Sequence, residues 1–322
     1  MKKISRRKFF EASGKALGGA AALAGAGSRS VLSGTPSGSR DAFGGILPSS
    51  PSVPNAFANK ALMGDSAAAA GSPGPDSSLK FELGLASYTC REFDLETTIA
   101  MAKRVGLGRI CLKDMHLPLT SSKGEIEAVV RKVSEAGIVP YGCGVIYMKS
   151  PDEVERAFAY ATAGGMELIV GVPDHALLPL VEGKVRETGI KLAIHNHGPG
   201  DLVYPTPRSA YAKIKAMDPR VGLCLDIGHC LRSGIDPSGA ALECADRLID
   251  IHLKDVTSAT KEGSTVEVGR GVIDIPKFLR TLVKLGYGGT AAFEHEKDGK
   301  DPLPGLAESV GYTRGVLKTL GD

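Results

Sequence analysis

The sequence predicts an eight-stranded α/β barrel preceded by a signal peptide and an unstructured linker. Short apolar runs alternate with amphipathic stretches about every thirty residues over residues 79–322, which is the rhythm of strand–helix units. Eight such runs fit into these 244 residues, the size and strand count of a single (β/α)8 TIM barrel. A doubly wound open sheet would usually carry a Gly-rich phosphate loop after its first strand, and none follows Tyr88.

The N-terminal segment has the pattern of an export signal. A basic start with adjacent Arg6 and Arg7 precedes two phenylalanines and a weakly apolar Gly/Ala run, which resembles a twin-arginine signal peptide. The apolar run Ala16–Ala26 is shorter than the ~20 residues that span a bilayer, so we expect no stable membrane span. We predict cleavage after Ala26 and export by the twin-arginine translocation machinery, to the periplasm in a two-membrane cell. The alternative is a basic amphipathic helix of the folded protein.

Residues 27–78 form the predicted linker. Of these 52 residues, 34 are Gly, Pro, Ser or Ala. A segment of this composition buries too little apolar surface to offset the entropy of ordering it. Fold prediction therefore starts at Leu79.

Charge and cysteine content exclude two classes of protein. Residues 1–78 hold 9 Lys and Arg against 4 Asp and Glu, which leaves 30 against 32 for the barrel. A slightly acidic barrel lacks the dense basic face that nucleic-acid binding requires. The six cysteines show no CxxC or finger spacing, so we expect buried small residues rather than a disulfide scaffold.

The predicted elements alternate in chain order. The strands are Phe81–Tyr88, Ile110–Lys113, Val139–Gly144, Leu168–Val172, Leu192–Asn196, Val221–Asp226, Leu248–Lys254 and Thr290–Glu294. Helical patterns between them include Leu95–Val105, Glu125–Ala136, Pro151–Ala163, Ala210–Met217 and Ile275–Leu285. A glycine follows several of these helices, as is common where a helix ends.

All seven histidines lie at or just past the end of a predicted strand. They are His116, His175, His195, His197, His229, His252 and His295. In a TIM barrel the carboxyl ends of the strands carry the chemistry. Scattered surface histidines are the alternative, but none of the seven falls within a predicted helix.

Alternation along the last four strands predicts a metal site. Because leucines, isoleucines and Phe293 occupy the helix-facing positions, the barrel-facing positions hold His195 and His197, Asp226, His252 and Lys254, and Glu294. One such polar group is usually a satisfied core residue, but converging groups each need a partner, which a divalent cation supplies. His195, Asp226, His252 and Glu294 are the predicted ligands, and this mixed set suits one Zn, Mn, Co or Mg ion.

Five motifs carry a resemblance to a known family. They are IHNHG (194–198), GLCLDIGH (222–229), DIHLKD (250–255), VEVGRGVIDI (266–275) and GYGGTAAFEHE (286–296). Together they resemble the xylose isomerase-like TIM-barrel family of sugar phosphate isomerases and epimerases. That family holds one divalent metal with Glu, Asp, His and Glu, and the last three match Asp226, His252 and Glu294. His195 stands where the family has its first glutamate, which argues against a symmetric epimerase with two metal-bound glutamates.

The resemblance implies a divalent-metal-dependent sugar isomerase or epimerase. Such an enzyme removes a proton next to a carbonyl through a metal-stabilised enediolate. An eliminating lyase acting on 3-keto-glycosides shares this intermediate and is the runner-up, and it suits an exported protein. A non-catalytic periplasmic sugar-binding barrel ranks lower. A DNA-repair endonuclease of the same fold is disfavoured by the acidic barrel and the export signal.

The expected roles of the site residues follow from this activity. Glu294, His195 and His197 are the candidate catalytic residues, and a small carbohydrate is the expected substrate. Its candidate contacts are His229, Lys113, Lys254, His116 and Arg270. For each lysine the alternative is a salt bridge inside the barrel mouth. Glu296 is expected on a surface loop, and the oligomeric state stays open, with a homodimer as one alternative.

Overall fold

The computed structural model describes residues 79–320. The predicted signal peptide and linker lie outside the described residues. Within residues 79–320, no helix is long and apolar enough to cross a membrane.

Eight parallel strands close into a barrel, as predicted. They are β1 (Glu82–Ala86), β2 (Arg109–Leu112), β3 (Val139–Met148), β4 (Leu168–Pro173), β5 (Lys191–His195), β6 (Val221–Asp226), β7 (Leu248–Leu253) and β10 (Thr290–Phe293). Each strand pairs with its neighbour in sequence, and β10 closes the barrel against β1. A short antiparallel ladder of β8 (Asp255–Val256) and β9 (Thr265–Val266) lies between β7 and β10 in the chain. The predicted TIM-barrel fold is confirmed.

Nine α-helices lie within the described residues. They are α1 (Leu95–Arg104), α2 (Lys123–Glu135), α3 (Pro151–Ala163), α4 (Leu178–Thr188), α5 (Pro207–Ile214), α6 (Ile227–Arg232), α7 (Pro237–Glu243), α8 (Ile275–Leu285) and α9 (Leu303–Leu320). Local signals fix several ends: Ser122 and Glu125 form a capping box before α2, and Gly286 ends α8 with a φ of 63°. Most predicted bounds differ from the structure by one to three residues, and the largest difference is in β3, which continues to Met148 instead of ending at Gly144.

The apolar residues form two layers. The larger one packs the outward faces of the strands under the helices. The smaller one fills the inside of the barrel with Cys111, Tyr141, Leu168, Val170, Ala193 and Cys224. All six cysteines are free and buried, as the sequence predicts. The inner layer makes the barrel of the described residues a packed core below its mouth, so any site inside the barrel lies at the strand ends.

Candidate metal centre

Four side chains converge at the carboxyl ends of β5, β6, β7 and β10. The His195 Nε2 atom lies 3.1 Å from His252 Nδ1 and 3.5 Å from Asp226 Oδ2. The His252 Nδ1 atom lies 3.2 Å from Glu294 Oε2. One ligand atom from each of the four residues falls within 4.8 Å of all the others, and all four residues are buried. These are the four residues that the sequence predicts as metal ligands.

Strand register explains why they meet. Parallel pairing sets Asp226 beside His252 and Leu253 beside Phe293. An irregularity in the β6–β7 pairing shifts the register between Leu223 and Cys224, so the barrel-facing residues of the two strands come opposite each other. The Asn196 side chain locks the adjoining strand ends, because it donates to the Asp226 carbonyl and accepts from the Asp226 N–H, each at 3.0 Å.

The donor set and its spacing fit one divalent ion. Nitrogen and oxygen atoms held at about 2.0–2.2 Å from a tetrahedral centre are roughly 3.3–3.6 Å apart, close to the separations of 3.1, 3.2 and 3.5 Å found here. Two imidazoles and two carboxylates are donors that Zn, Mn and Co accept. The buried Asp226 Oδ2 atom has no hydrogen-bond partner, although the Lys254 ammonium lies 2.9 Å away. It is therefore available as a ligand for an ion at this centre.

A buried ammonium group lies against the same carboxylates. The Lys254 Nζ atom is 2.9 Å from Asp226 Oδ2 and 2.8 Å from Glu294 Oε2, and it also donates to Glu296. Burial alone would lower the pKa of Lys254, but the three carboxylates raise it well above its usual value. Glu296, expected on a surface loop, is partly buried and takes part in this cluster. Of the two alternatives for Lys254, the structure shows the salt bridge.

The pKa values of the ligands follow from burial and from their neighbours. Burial holds the pKa of His195 well below its usual range, so this imidazole is neutral and can donate a lone pair. For His252, burial lowers the pKa, but the Glu294 carboxylate outweighs it and the net pKa is raised. Burial would raise the pKa values of Asp226 and Glu294, but Lys254 and the facing histidines hold both well below their usual range.

His197 and His229 border the four ligands. The His197 ring lies 4.4 Å from the His195 ring and stacks on Tyr147, whose hydroxyl is 3.1 Å from His197 Nε2. The backbone N–H of His229 donates to Asp226 Oδ1 at 2.7 Å, and its Nε2 atom lies 3.9 Å from Asp226 Oδ2. Burial lowers the pKa values of both histidines. Tyr147 was not predicted for the site because the sequence prediction ends β3 at residue 144.

The structure does not bring the remaining predicted contacts into this cluster. His116 is buried in a polar link, with ring nitrogens 3.0 Å from the Ser87 and Thr98 hydroxyls. Lys113 lies at the strand ends, with its ammonium 5.1 Å from the centre of the Tyr88 ring.

Arg270 also lies apart from the cluster, in the loop between β9 and α8. Its exposed guanidinium pairs with Glu308 on α9. The buried Asp255 carboxylate holds this loop in place, because it accepts hydrogen bonds from the backbone N–H groups of Gly269, Gly271 and Ile273 at 2.9–3.2 Å. An added Cβ at residue 271 would come within 2.1 Å of Asp255 Oδ1, so this position requires glycine.

Comparison with known proteins supports the resemblance seen in the motifs. Residues 175–316 match the family model described as xylose isomerase-like TIM barrel. The rhizopine catabolism protein MocC of Rhizobium meliloti is 31% identical over 144 residues, covering 40% of this chain and 44% of that protein. An inosose dehydratase of Geobacillus kaustophilus is 29% identical over 145 residues, covering 40% and 45%.

A further relative is aligned over a longer stretch. The ketose 3-epimerase of Arthrobacter globiformis is 24% identical over 214 residues, covering 63% of this chain and 68% of that protein. By contrast, the chain spans less than half the length of MocC and of the inosose dehydratase.

Proposed function

We propose that this chain is a member of the xylose isomerase-like TIM-barrel family and a metal-dependent carbohydrate lyase. The reaction we assign to it is removal of a proton next to a carbonyl, followed by loss of a β-leaving group. The observation that carries the proposal is the convergence of His195, Asp226, His252 and Glu294 at one centre. A divalent ion held there would polarise the substrate carbonyl and make the adjacent proton more acidic.

Glu294 is the proposed base. It is a buried carboxylate whose pKa lies below its usual range because Lys254 and His252 face it, despite the opposing effect of burial. It is therefore ionised at neutral pH and able to accept a proton. On another side of the centre, the hydrogen-bonded pair of His197 and Tyr147 offers a departing oxygen one donor, an N–H of His197 or the O–H of Tyr147 according to the imidazole tautomer.

Two observations support elimination as the first candidate and epimerisation as the second. An epimerase that works symmetrically needs a base on each face of the substrate, but the ligand set contains a histidine at residue 195 and only one glutamate, Glu294. The dehydratase relative belongs to the same chemical class as a lyase, because a dehydratase eliminates water. The ketose 3-epimerase relative, matched over 68% of its length, favours isomerase or epimerase activity as the second candidate.

Proton NMR of the metal-loaded chain in deuterated buffer would test this proposal. We would supply a 3-keto-glucoside and, separately, an inosose. Signals of the free aglycone or of the dehydrated inosose support the lyase. Loss of a proton signal from an intact sugar, because deuterium has entered it, supports the isomerase or epimerase. A loaded chain that does neither would favour the sugar-binding barrel.

Two variants control this experiment. Glu294→Gln removes both the proposed base and one proposed metal ligand, so it should abolish turnover. Glu243→Gln alters an exposed carboxylate on α7 that pairs with Arg208, and it should retain full turnover.

We also propose that the chain is exported through the twin-arginine pathway, as its N-terminal sequence indicates. Export would give the enzyme access to glycosides outside the cytoplasm. The adjacent arginines at residues 6 and 7 support this proposal, and their replacement by lysine tests it.

A further inference from the structure

The ammonium group of Lys254 contacts two of the four proposed metal ligands, Asp226 and Glu294. Its side chain is 1% exposed, and its two shortest buried contacts are to Asp226 Oδ2 and Glu294 Oε2. These are the same oxygen atoms that lie closest to His195 Nε2 and His252 Nδ1. The ammonium therefore contacts the two carboxylate oxygens that face the histidine nitrogens, where a divalent ion would also bind.

The fold holds the lysine side chain in this position. Lys254 follows the last residue of β7, and its methylene chain runs along the backbone of α6. A Cβ added at Gly228 would lie 2.8–3.1 Å from the Cβ, Cγ and Cδ atoms of Lys254. No residue larger than glycine fits at residue 228 unless the lysine moves.

A third carboxylate binds the same ammonium at the same time. Glu296 bonds to Lys254 Nζ, and its side chain is 30% exposed, against 0% for Asp226 and 6% for Glu294. Glu296 is also absent from the group of four ligand residues. The ammonium can thus leave Asp226 and Glu294 without losing all of its negative partners.

We propose that Lys254 is the counter-ion of the ligand carboxylates in the metal-free protein, and that it withdraws from Asp226 and Glu294 while keeping its bond to Glu296 when a divalent ion binds. Lys254 and Glu296 together then set the metal affinity. This inference depends on the metal centre of the proposed function.

The net charge of the site predicts whether each substitution raises or lowers the metal affinity. Apart from the imidazoles, the two ligand carboxylates, Lys254 and Glu296 carry a net charge of about −2 at neutral pH. Replacing Lys254 by Met makes this about −3, and replacing Glu296 by Gln makes it about −1, so a divalent cation is attracted more strongly in the first case and less in the second. We expect Lys254→Met to tighten metal binding at least ~10-fold and Glu296→Gln to weaken it at least ~10-fold.

The experiment is a metal titration of the chelator-treated full chain with Mn²⁺ and with Zn²⁺, in competition with a fluorescent chelator. Two matched controls come from one neighbouring ion pair, in which Lys297 bonds to Glu267 at 2.9 Å. Lys297→Met and Glu267→Gln change the same charges as the two test variants but leave the Lys254 contacts in place. Both controls should bind metal as the wild type does.

Thermal melting gives a second readout that requires no substrate. Lys254→Met leaves two buried carboxylates without their counter-ion, so its metal-free form should melt below the wild type and gain more stability from metal. Glu296→Gln alters a partly exposed residue and should fold normally. It therefore tests the proposal even where Lys254→Met fails to fold.

The outcomes separate this inference from the proposed function. If the wild type binds metal but neither test variant changes the affinity in the expected direction, the role of Lys254 and Glu296 is overturned and the metal centre stands. If neither the wild type nor Lys254→Met binds metal, the metal centre itself is overturned. Opposite affinity changes in the two test variants, with unchanged controls, support the inference.

Discussion

The buried carboxylate of Asp250 predicts how the stability of the barrel depends on pH. Its carboxylate is fully buried below His252 on β7, where the Tyr141 hydroxyl lies 3.3 and 3.4 Å from its two oxygens. The Cys224 thiol donates to it at 3.6 Å. Burial raises the pKa of Asp250 from 3.8 to about 6, although His252 acts in the opposite direction.

The expected effect follows from this pKa difference. Below pH 3.8 the carboxyl is protonated in both the folded and the unfolded chain. As the pH rises toward 6, the unfolded chain ionises first, so the folded state loses about 1.4 kcal/mol of stability per pH unit and about 3 kcal/mol in all. Asp250→Asn carries no charge and removes this loss. Relative to the wild type, its free energy of unfolding should therefore rise by about 2 kcal/mol between about pH 4.5 and about pH 7.5.

The assay is urea unfolding of both proteins at the two pH values, with chelator present throughout. Using the difference between variant and wild type removes the opposite pH dependence of Asp226 and Glu294, whose pKa values are lowered. A variant whose stability differs from the wild type by the same amount at both pH values would refute the reasoning. That result would mean that Asp250 has the same pKa in the folded and the unfolded chain.

Three further predictions concern the metal ligands, the loop between β9 and α8, and export. Asp226→Asn and Glu294→Gln should each lose bound metal in elemental analysis while the chain stays folded, and unchanged metal content in both contradicts the ligand set. Asp255→Asn should lower the free energy of unfolding by about 2 kcal/mol, because the amide cannot accept all the backbone N–H groups that the carboxylate does, and an unchanged urea midpoint argues against that role. The double variant Arg6→Lys, Arg7→Lys should accumulate as uncleaved precursor in cell fractions, whereas normal export of it rules out the twin-arginine signal.

Much of the site geometry could be predicted from local sequence. Side chains alternate between the two faces of a strand, so the apolar neighbours of Asp226 and His252 were enough to show that both face the barrel interior. Adjacent parallel strands end on the same side of a barrel, which brings these strand ends close to His195 and Glu294. The eight strands and the convergence of the four ligands could thus be predicted from hydrophobic periodicity and strand order, because both can be identified along the chain.

The tertiary structure decided which of the strand-end residues touch one another. His116 shares the strand-end position of the other histidines but bonds to Ser87 and Thr98, and Tyr147 reaches His197 only because β3 extends to Met148.

For Lys254, the sequence predicted the barrel-facing position and left the partner open. Its salt bridges to Asp226, Glu294 and Glu296 join residues up to 42 positions apart in the chain. Such contacts are set by barrel closure and by the β6–β7 register shift. The sequence alone therefore determined which way each side chain points, because that depends on neighbours along one strand, whereas its partners depend on how distant strands are packed together.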